Sequence, residues 1–301
     1  MALFLYQILS SLPLLWLGIY HLISTTGNYL KSPQSYSAKP YHPLSSSSSR
    51  LKHLQLYLLI LCLLVAFAHQ TLISADADPL LKGSTPVHRF SSLQSAAVLF
   101  LFFILTLALL ISDSTSLLPL PHDLFFALAS AAFFLQYYVA SSAASVQTSD
   151  LQAKCDSVSA LISALSSLLC LILACQPRFF MADVALAGSL CLQGLWIFQT
   201  GLSLCVEAFI PEGCHRLLDV VNGVEGSTQC DLEESRLRAV AILDLLFVIH
   251  VIFVVVIVIV TYGVIAKNVG VRRLGSYEAL PTSATADSNH IQMKALTGTQ
   301  A

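Results

Sequence analysis

The stretch LLFVIHVIFVVVIVIV, residues Leu245–Val260, contains one strongly polar side chain, His250. The predominantly apolar run around this stretch covers Ala239–Ala266. Because a helix of about 20 apolar residues crosses the hydrocarbon core of a bilayer, this run predicts a transmembrane helix.

Six other predominantly apolar runs meet the same length rule. The seven predicted spans are Leu3–Ile23, Leu54–Ile73, Leu93–Ser112, Leu124–Val146, Val158–Cys175, Ala182–Ile210 and Ala239–Ala266. The alternation over about ten residues that is typical of outer-membrane barrel strands does not occur in the sequence. We therefore expect an all-α, polytopic helical membrane bundle of about seven transmembrane helices, with residues 1–266 as its membrane domain.

The composition agrees with a membrane location. Of the 301 residues, 56% are hydrophobic and 11% are charged, whereas about 25% of residues are charged in ordinary soluble domains. These values exclude a soluble globular protein and make the lipid bilayer the expected partner. The formal net charge of -2 leaves no basic excess for binding nucleic acid.

Lysine and arginine residues indicate the orientation, because cytoplasmic loops carry more of them. Four lie between the first two spans and four follow the last span. These residues are Lys31, Lys39, Arg50, Lys52, Lys267, Arg272, Arg273 and Lys294. An N terminus outside and a C terminus in the cytoplasm put all eight on the cytoplasmic side. A cleaved signal peptide is an alternative for the first span, but no lysine or arginine precedes that span and its apolar run is long.

Two of the eight cysteines, Cys214 and Cys230, lie in the connection between the sixth and seventh spans. In the predicted orientation this connection is outside, where an oxidising compartment permits a disulfide. We expect that bond to form, and the alternative is two free thiols in a flexible loop.

The segment 267–301 is polar and rich in Ser, Thr and Ala, which predicts a disordered cytoplasmic tail. It contains Tyr277-Glu278-Ala279-Leu280, a tyrosine followed three residues later by a bulky apolar residue. Such a tetrapeptide can add as an extended strand to a cytoplasmic sorting adaptor. Tyr277 and Leu280 are therefore a candidate sorting motif, and the alternative is a chance occurrence.

Four ionisable side chains in the predicted spans are candidates for a polar cavity: His69, Glu207, Asp244 and His250. A charge at the bilayer centre costs at least about 2.5–3.5 kcal/mol on insertion scales, so such residues often have a function. In the predicted orientation all four lie in the outer half of the membrane, where a cavity could bind a proton or a metal cation. The alternative is hydrogen bonding between helices, and we assign no metal site.

Motifs of catalysis and cofactor binding do not occur in the sequence. The two histidines nearest to each other, His42 and His53, are 11 residues apart, which excludes helical zinc motifs with histidines four residues apart. A nucleophile elbow and a glycine-rich nucleotide loop are also missing. We therefore expect no enzyme activity, no catalytic residue and no cofactor.

Small side chains recur on two of the predicted spans. Gly194 and Gly201 lie on the sixth span, and Ser159, Ser163 and Ser167 lie on the fifth. Since small residues let helix backbones approach closely inside a membrane, we expect these to be packing faces.

Three passages resemble a known family. They are GIYHL at residues 18–22, LQGLWIFQTG at 192–201, and GCHRLLD at 213–219 followed by RAVAILD at 238–244. Together they resemble the plant branch of the transmembrane protein 45 family, also called domain of unknown function 716. The resemblance implies a multi-pass integral membrane protein without an established biochemical activity, and it implies no known catalytic residue.

One feature of that family is missing from this chain. Members carry a histidine-rich stretch after the fourth span, whereas residues 137–147 here read YYVASSAASVQ. A metal or redox role based on those histidines is therefore not carried over. The Gly-x-x-His-Leu signature is retained at Gly18, His21 and Leu22, near the predicted cytoplasmic end of the first span.

The leading functional hypothesis is a non-enzymatic membrane protein with an interaction or trafficking role, in the plasma membrane or the endomembranes of the secretory pathway. The alternative is a secondary transporter or channel for protons or divalent metal cations that uses Glu207, Asp244 and His250. A third class, a membrane-embedded hydrolase or lipid enzyme, needs acids or histidines clustered on adjacent helices.

Overall fold

The computed structural model describes residues 2–44, 52–76, 87–115, 118–147, 149–218 and 225–269. Among these residues, seven helices are long and apolar enough to cross a membrane. They are α1 (Ala2–Lys31), α2 (Leu54–Asp76), α3 (Val87–Ser114), α4 (His122–Val146), α5 (Asp150–Cys175), α6 (Phe180–Cys205) and α7 (Glu233–Val269). The expected all-α, multi-pass membrane architecture is confirmed.

Helix α6 is the centre of the bundle and the most buried of the seven helices. It packs against α1, α5 and α7. The largest apolar core joins α5, α6 and α7 around Trp196, which is fully buried. Helices α2 and α7 leave most of their apolar side chains exposed, as expected of helices that face lipid, since lipid tails are as apolar as leucine.

The predicted and observed ends of the last two helices differ. Helix α6 ends at Cys205 because Val206 is extended, and a 3₁₀ turn at Glu207–Phe209 follows; the predicted span instead continued to Ile210. Helix α7 begins at Glu233, before the predicted start at Ala239, since acidic residues in a first turn interact favourably with the helix dipole. Hydropathy detects neither feature, because the 3₁₀ turn is partly apolar and the first turn of α7 is polar.

An antiparallel hairpin connects α6 and α7. Its strands are β1 (Cys214–Leu218) and β2 (Glu225–Cys230), with Cys214 opposite Cys230. These two cysteines form a disulfide, as expected from the sequence. Gly213 precedes the hairpin with φ of 82°, a conformation that side chains disfavour, and a Cβ there would collide with Ser235.

The end of α7 includes the first residues of the predicted tail, because the helix continues to Val269. The rest of the tail, with Tyr277 and Leu280, lies outside the described residues.

Candidate functional site

Close contact between α1 and α6 positions a buried polar cluster. A Cβ added to Gly18 would lie 2.6 Å from Cys191 Sγ, 2.8 Å from Cys191 N and 2.9 Å from Ala187 O. Two of these three atoms belong to the backbone of α6, so they cannot move away without displacing the helix. Glycine at position 18 thus allows a helix approach that any other residue would prevent.

Gly194 and Gly201 continue this contact along α6. A Cβ at Gly194 would lie 2.9 Å from Leu15 N, and one at Gly201 would lie 2.8 Å from the Cβ of Gln7. The packing role expected of the two glycines is confirmed.

The serine face of α5 packs against α4. Ser130 and Ser167 exchange hydrogen bonds of 2.9 Å, each from its hydroxyl group to the carbonyl oxygen of the other. Ser163 is also buried, and its hydroxyl donates to Ser159 O on the preceding turn. The expected packing face is therefore present.

One turn beyond Gly18, α1 brings His21 to Asp183 in the first turn of α6. His21 Nε2 lies 2.7 Å from Asp183 Oδ1. Asp183 is 0% exposed and His21 is 6% exposed. A carboxylate so far from solvent requires hydrogen-bond donors, because burying it without them is costly.

Two hydroxyl groups bind the other carboxylate oxygen. Thr25 Oγ1 donates to Asp183 Oδ2 at 3.2 Å, and Tyr36 OH donates to the same oxygen at 2.5 Å. Burial, followed by the charge of Asp183, raises the pKa of Tyr36, so the phenol keeps its proton and remains a donor. With His21, the carboxylate accepts three hydrogen bonds.

His42 extends the cluster away from the carboxylate. Asn28 Nδ2 donates to His42 Nδ1 at 3.3 Å, and His42 Nε2 lies 3.4 Å from Thr25 Oγ1. Since Nδ1 is an acceptor here, the neutral ring carries its proton on Nε2 and donates it to Thr25. Burial lowers the pKa of His42 to about 4, with a smaller contribution from neighbouring His21.

Residues 33–44, here called the strap, cover the end of the bundle where α1 ends and α6 begins. Ala38 is fully buried, and its N–H donates to Pro177 O at 2.7 Å. Its methyl group belongs to the same apolar core as Phe126 and Leu173. The strap therefore crosses the end of the bundle at which Asp183 lies, and it seals the carboxylate from one side.

The structure places two of the sequence-predicted cavity residues near the hairpin end of α6 and α7. Asp244 Oδ1 lies 2.6 Å from Lys154 Nζ of α5, and the Asp244 side chain is 54% exposed. Glu207 lies in the 3₁₀ turn after α6, outside the α-helix that was expected to carry it.

The two histidines among the predicted cavity residues have other contacts. His250 Nδ1 lies 2.6 Å from Leu246 O on its own helix, and its ring meets the Trp196 ring edge to face at 6.2 Å. His69 stacks on Tyr6 of α1, with ring centroids 4.1 Å apart.

In the part of the chain that the structure describes, the hydrogen bonds, ion pairs and ring contacts join none of these four residues to another. Within the same residues, no three His, Cys, Asp or Glu side chains come together in a way that could hold a metal ion. The arrangement thus puts Glu207, Asp244, His250 and His69 in four different environments.

Sequence reasoning missed the central residue of the buried cluster. Asp183 is the second residue of the predicted span Ala182–Ile210. A carboxylate at the end of a span is expected to lie at the membrane surface, in contact with water. The Gly-x-x-His-Leu signature, in contrast, contains both Gly18 and His21. It was the feature of the sequence that could have indicated this cluster. His42 lies in a polar connection, and nothing in the local sequence indicates that it is buried.

Residues 122–263, from the start of α4 into α7, match a family described as "Family of unknown function (DUF716)". This match confirms the family resemblance found in the sequence, and the plant branch stays a prediction. The matched region includes Asp183 and the disulfide, whereas Gly18 and His21 precede it. No curated protein matches the chain significantly.

Proposed function

We propose that this DUF716 protein is a non-enzymatic interaction component of the plasma membrane or of the endomembranes of the secretory pathway. The observation that carries the proposal is the Asp183 cluster, in which every hydrogen bond of the carboxylate holds α1, α6 and the strap together. Among the described residues, this polar cluster therefore stabilises the packing of α1, α6 and the strap, which is a structural role and leaves interaction as the proposed function.

Burial argues against the cluster as an enzyme site. It does contain an acid and two histidines on neighbouring elements, which is what a membrane-embedded hydrolase would need. Its two hydroxyl groups, those of Thr25 and Tyr36, are both buried and both donate to Asp183. A nucleophile must reach its substrate, and a buried hydroxyl that already donates to a carboxylate is poorly placed to do so.

For the orientation, we propose an N terminus outside and a C-terminal tail in the cytoplasm. The Cys214–Cys230 disulfide supports it, because such bonds persist in oxidising compartments. The hairpin then lies outside and the strap lies in the cytoplasm. In a Cys175→Ser variant, impermeant biotin-maleimide after reduction should label these cysteines on intact cells if the protein is at the cell surface, or only after detergent opens the internal membranes if it is in endomembranes. Labelling as soon as digitonin opens the plasma membrane, without labelling of intact cells, would reverse the orientation.

The trafficking part of the proposal is tested on the tail. We expect a fluorescent fusion with Tyr277→Ala or Leu280→Ala to change its distribution among membranes, because both side chains would anchor an extended strand on an adaptor. The matched control is Glu278→Ala, which alters the same tetrapeptide at a position that the motif leaves open. An unchanged distribution of both variants would remove the sorting motif from the proposal.

Cation transport is the alternative, and the observation that favours it is Asp244, which is 54% exposed although it is paired with Lys154. Proton and divalent-cation flux is measured with entrapped dyes in liposomes that hold the wild-type protein, Glu207→Gln or Asp244→Asn. Flux that both substitutions abolish, at unchanged helicity, would replace the interaction proposal. A wild-type flux equal to that of empty liposomes would support the interaction proposal.

A further inference from the structure

The strap is held at both of its ends by contacts of different kinds. At its start, Tyr36 donates to Asp183 and the Ala38 N–H donates to Pro177 O. At its other end, Tyr41 OH donates to Lys52 O, while neighbouring His53 Nδ1 lies 3.3 Å from Asp113 Oδ2 of α3. His42 directly follows Tyr41 in the chain.

His42 contacts α1 through both nitrogens of its ring. It is 8% exposed, and its two ring nitrogens face Asn28 and Thr25. A second proton would occupy Nδ1, where the Asn28 amide now donates. Protonation would break this hydrogen bond, and the exposed Asn28 amide would have to turn its oxygen towards the ring to restore it, while a charged ring would be buried.

The charges around His42 oppose a second proton more than they favour it. The titratable and charged groups that face it are His21 of α1, Lys39 of the strap, His122 of α4 and Asp183 of α6. Only Asp183 favours the imidazolium, and that carboxylate already accepts three hydrogen bonds. The packed strap therefore keeps His42 neutral.

We propose that the strap is an acid-released latch, in which a proton on His42 frees residues 33–44 from α1 and α6 while the helical bundle stays intact. The latch is a property of the strap and does not depend on which partner the protein binds. Release uncovers Asp183 of α6 and the α1 side chains of His21 and Thr25, which are buried in the closed form.

The direction of the pH effect follows from the difference in the pKa of His42 between the packed and the released strap. The pKa of His42 is about 4 when packed and about 6.5 when exposed to water. Well above pH 6.5 the His42 ring is mostly neutral in both the packed and the released strap, and the latch is closed. As the pH falls from 6.5 towards 4, only the released ring takes up the proton, so the ratio of released to packed strap rises by about 30-fold between pH 7.5 and pH 5.0.

The test measures the mobility of the strap in the full chain in lipid nanodiscs. A nitroxide spin label is placed at the exposed position 37 (Ser37→Cys), in a protein where Cys175→Ser removes the exposed free thiol; the other free thiols are buried or half-buried. Electron paramagnetic resonance spectra are recorded between pH 7.5 and pH 4.5. The proposal expects an immobile label at pH 7.5 and a growing mobile fraction below pH 6.5.

The matched variant is His42→Gln, which keeps an amide for hydrogen bonding and cannot titrate. Its spectrum should have no pH dependence in this range, whether the label is immobile or mobile. Three results would overturn the latch: a wild-type label equally immobile at pH 7.5 and 4.5, an undiminished pH response in His42→Gln, or a loss of helicity by circular dichroism over the same pH range. The last result would mean that the whole bundle opens.

Discussion

Gly18 of α1 lies directly against the backbone of Cys191 on α6, and one turn later His21 of the same helix reaches Asp183. The two relationships depend on each other, because the His21–Asp183 distance of 2.7 Å requires the helices to be close. The Gly-x-x-His pattern thus encodes a helix contact and the polar bond that the contact permits.

We expect Gly18→Ala to destabilise the bundle by about 1–3 kcal/mol, the usual cost of adding a methyl group to a packed interior. The measurement is thermal unfolding in detergent, followed by circular dichroism at 222 nm. The matched control is Gly27→Ala on the same helix, where the nearest atom to the added Cβ is Ile265 Cγ2 at 4.0 Å. Equal melting temperatures for the two variants would contradict the close contact at Gly18.

We expect Asp183→Asn to destabilise the protein far more than Asp244→Asn. The first replaces a 0% exposed acceptor of three hydrogen bonds by a group that carries its own donors, and breaking a buried pair costs about 3–5 kcal/mol. The second breaks the Lys154–Asp244 pair, in which Asp244 is 54% exposed, and such pairs contribute about 0–1 kcal/mol.

The two aspartate variants are compared by thermal unfolding, with His21→Ala and the double variant His21→Ala/Asp183→Asn completing a cycle. Coupling predicts that the double variant loses less stability than the sum of the two single variants. Additive losses would show that His21 and Asp183 stabilise the fold independently.

Reduction of the Cys214–Cys230 disulfide should loosen the hairpin and lower the melting temperature. The bond closes a loop with a sequence separation of 16, which contributes about 3 kcal/mol on the chain-entropy model. Dithiothreitol is added to the wild type and to a Cys214→Ser/Cys230→Ser variant before unfolding. The reductant should lower the melting temperature of the wild type only. An equal decrease in both proteins would show that the reductant does not act through this disulfide.

The two tryptophans should report two different environments. Trp196 is 0% exposed and donates from Nε1 to Cys155 O at 3.0 Å, whereas Trp16 is 60% exposed on α1. In liposomes of brominated lipid, we expect strong fluorescence quenching in Trp196→Phe, which retains Trp16, and weak quenching in Trp16→Phe. Strong quenching of Trp196 would contradict its place in the core between α5, α6 and α7.

Both tryptophans lie in predicted spans, and the sequence does not tell them apart. Each is surrounded by apolar neighbours along the chain, so hydropathy assigns both to the membrane. The difference between a lipid-facing ring and a core ring depends on which helix packs against which face. The same limit applies to Asp244 and Asp183, whose burial is opposite although each is an acid in a predicted span.

The seven spans were predictable from the sequence, and the pairing of Cys214 with Cys230 was the favoured of two alternatives there. Span length and hydropathy are local properties, and only two cysteines occur in the connection that holds the disulfide. The buried pair of His21 and Asp183, 162 residues apart in the chain, is visible only in the folded protein, as is the position of residues 33–44 over this pair. Such partners are chosen by helix packing, which depends on the shapes of all the faces together and on no single stretch of the chain.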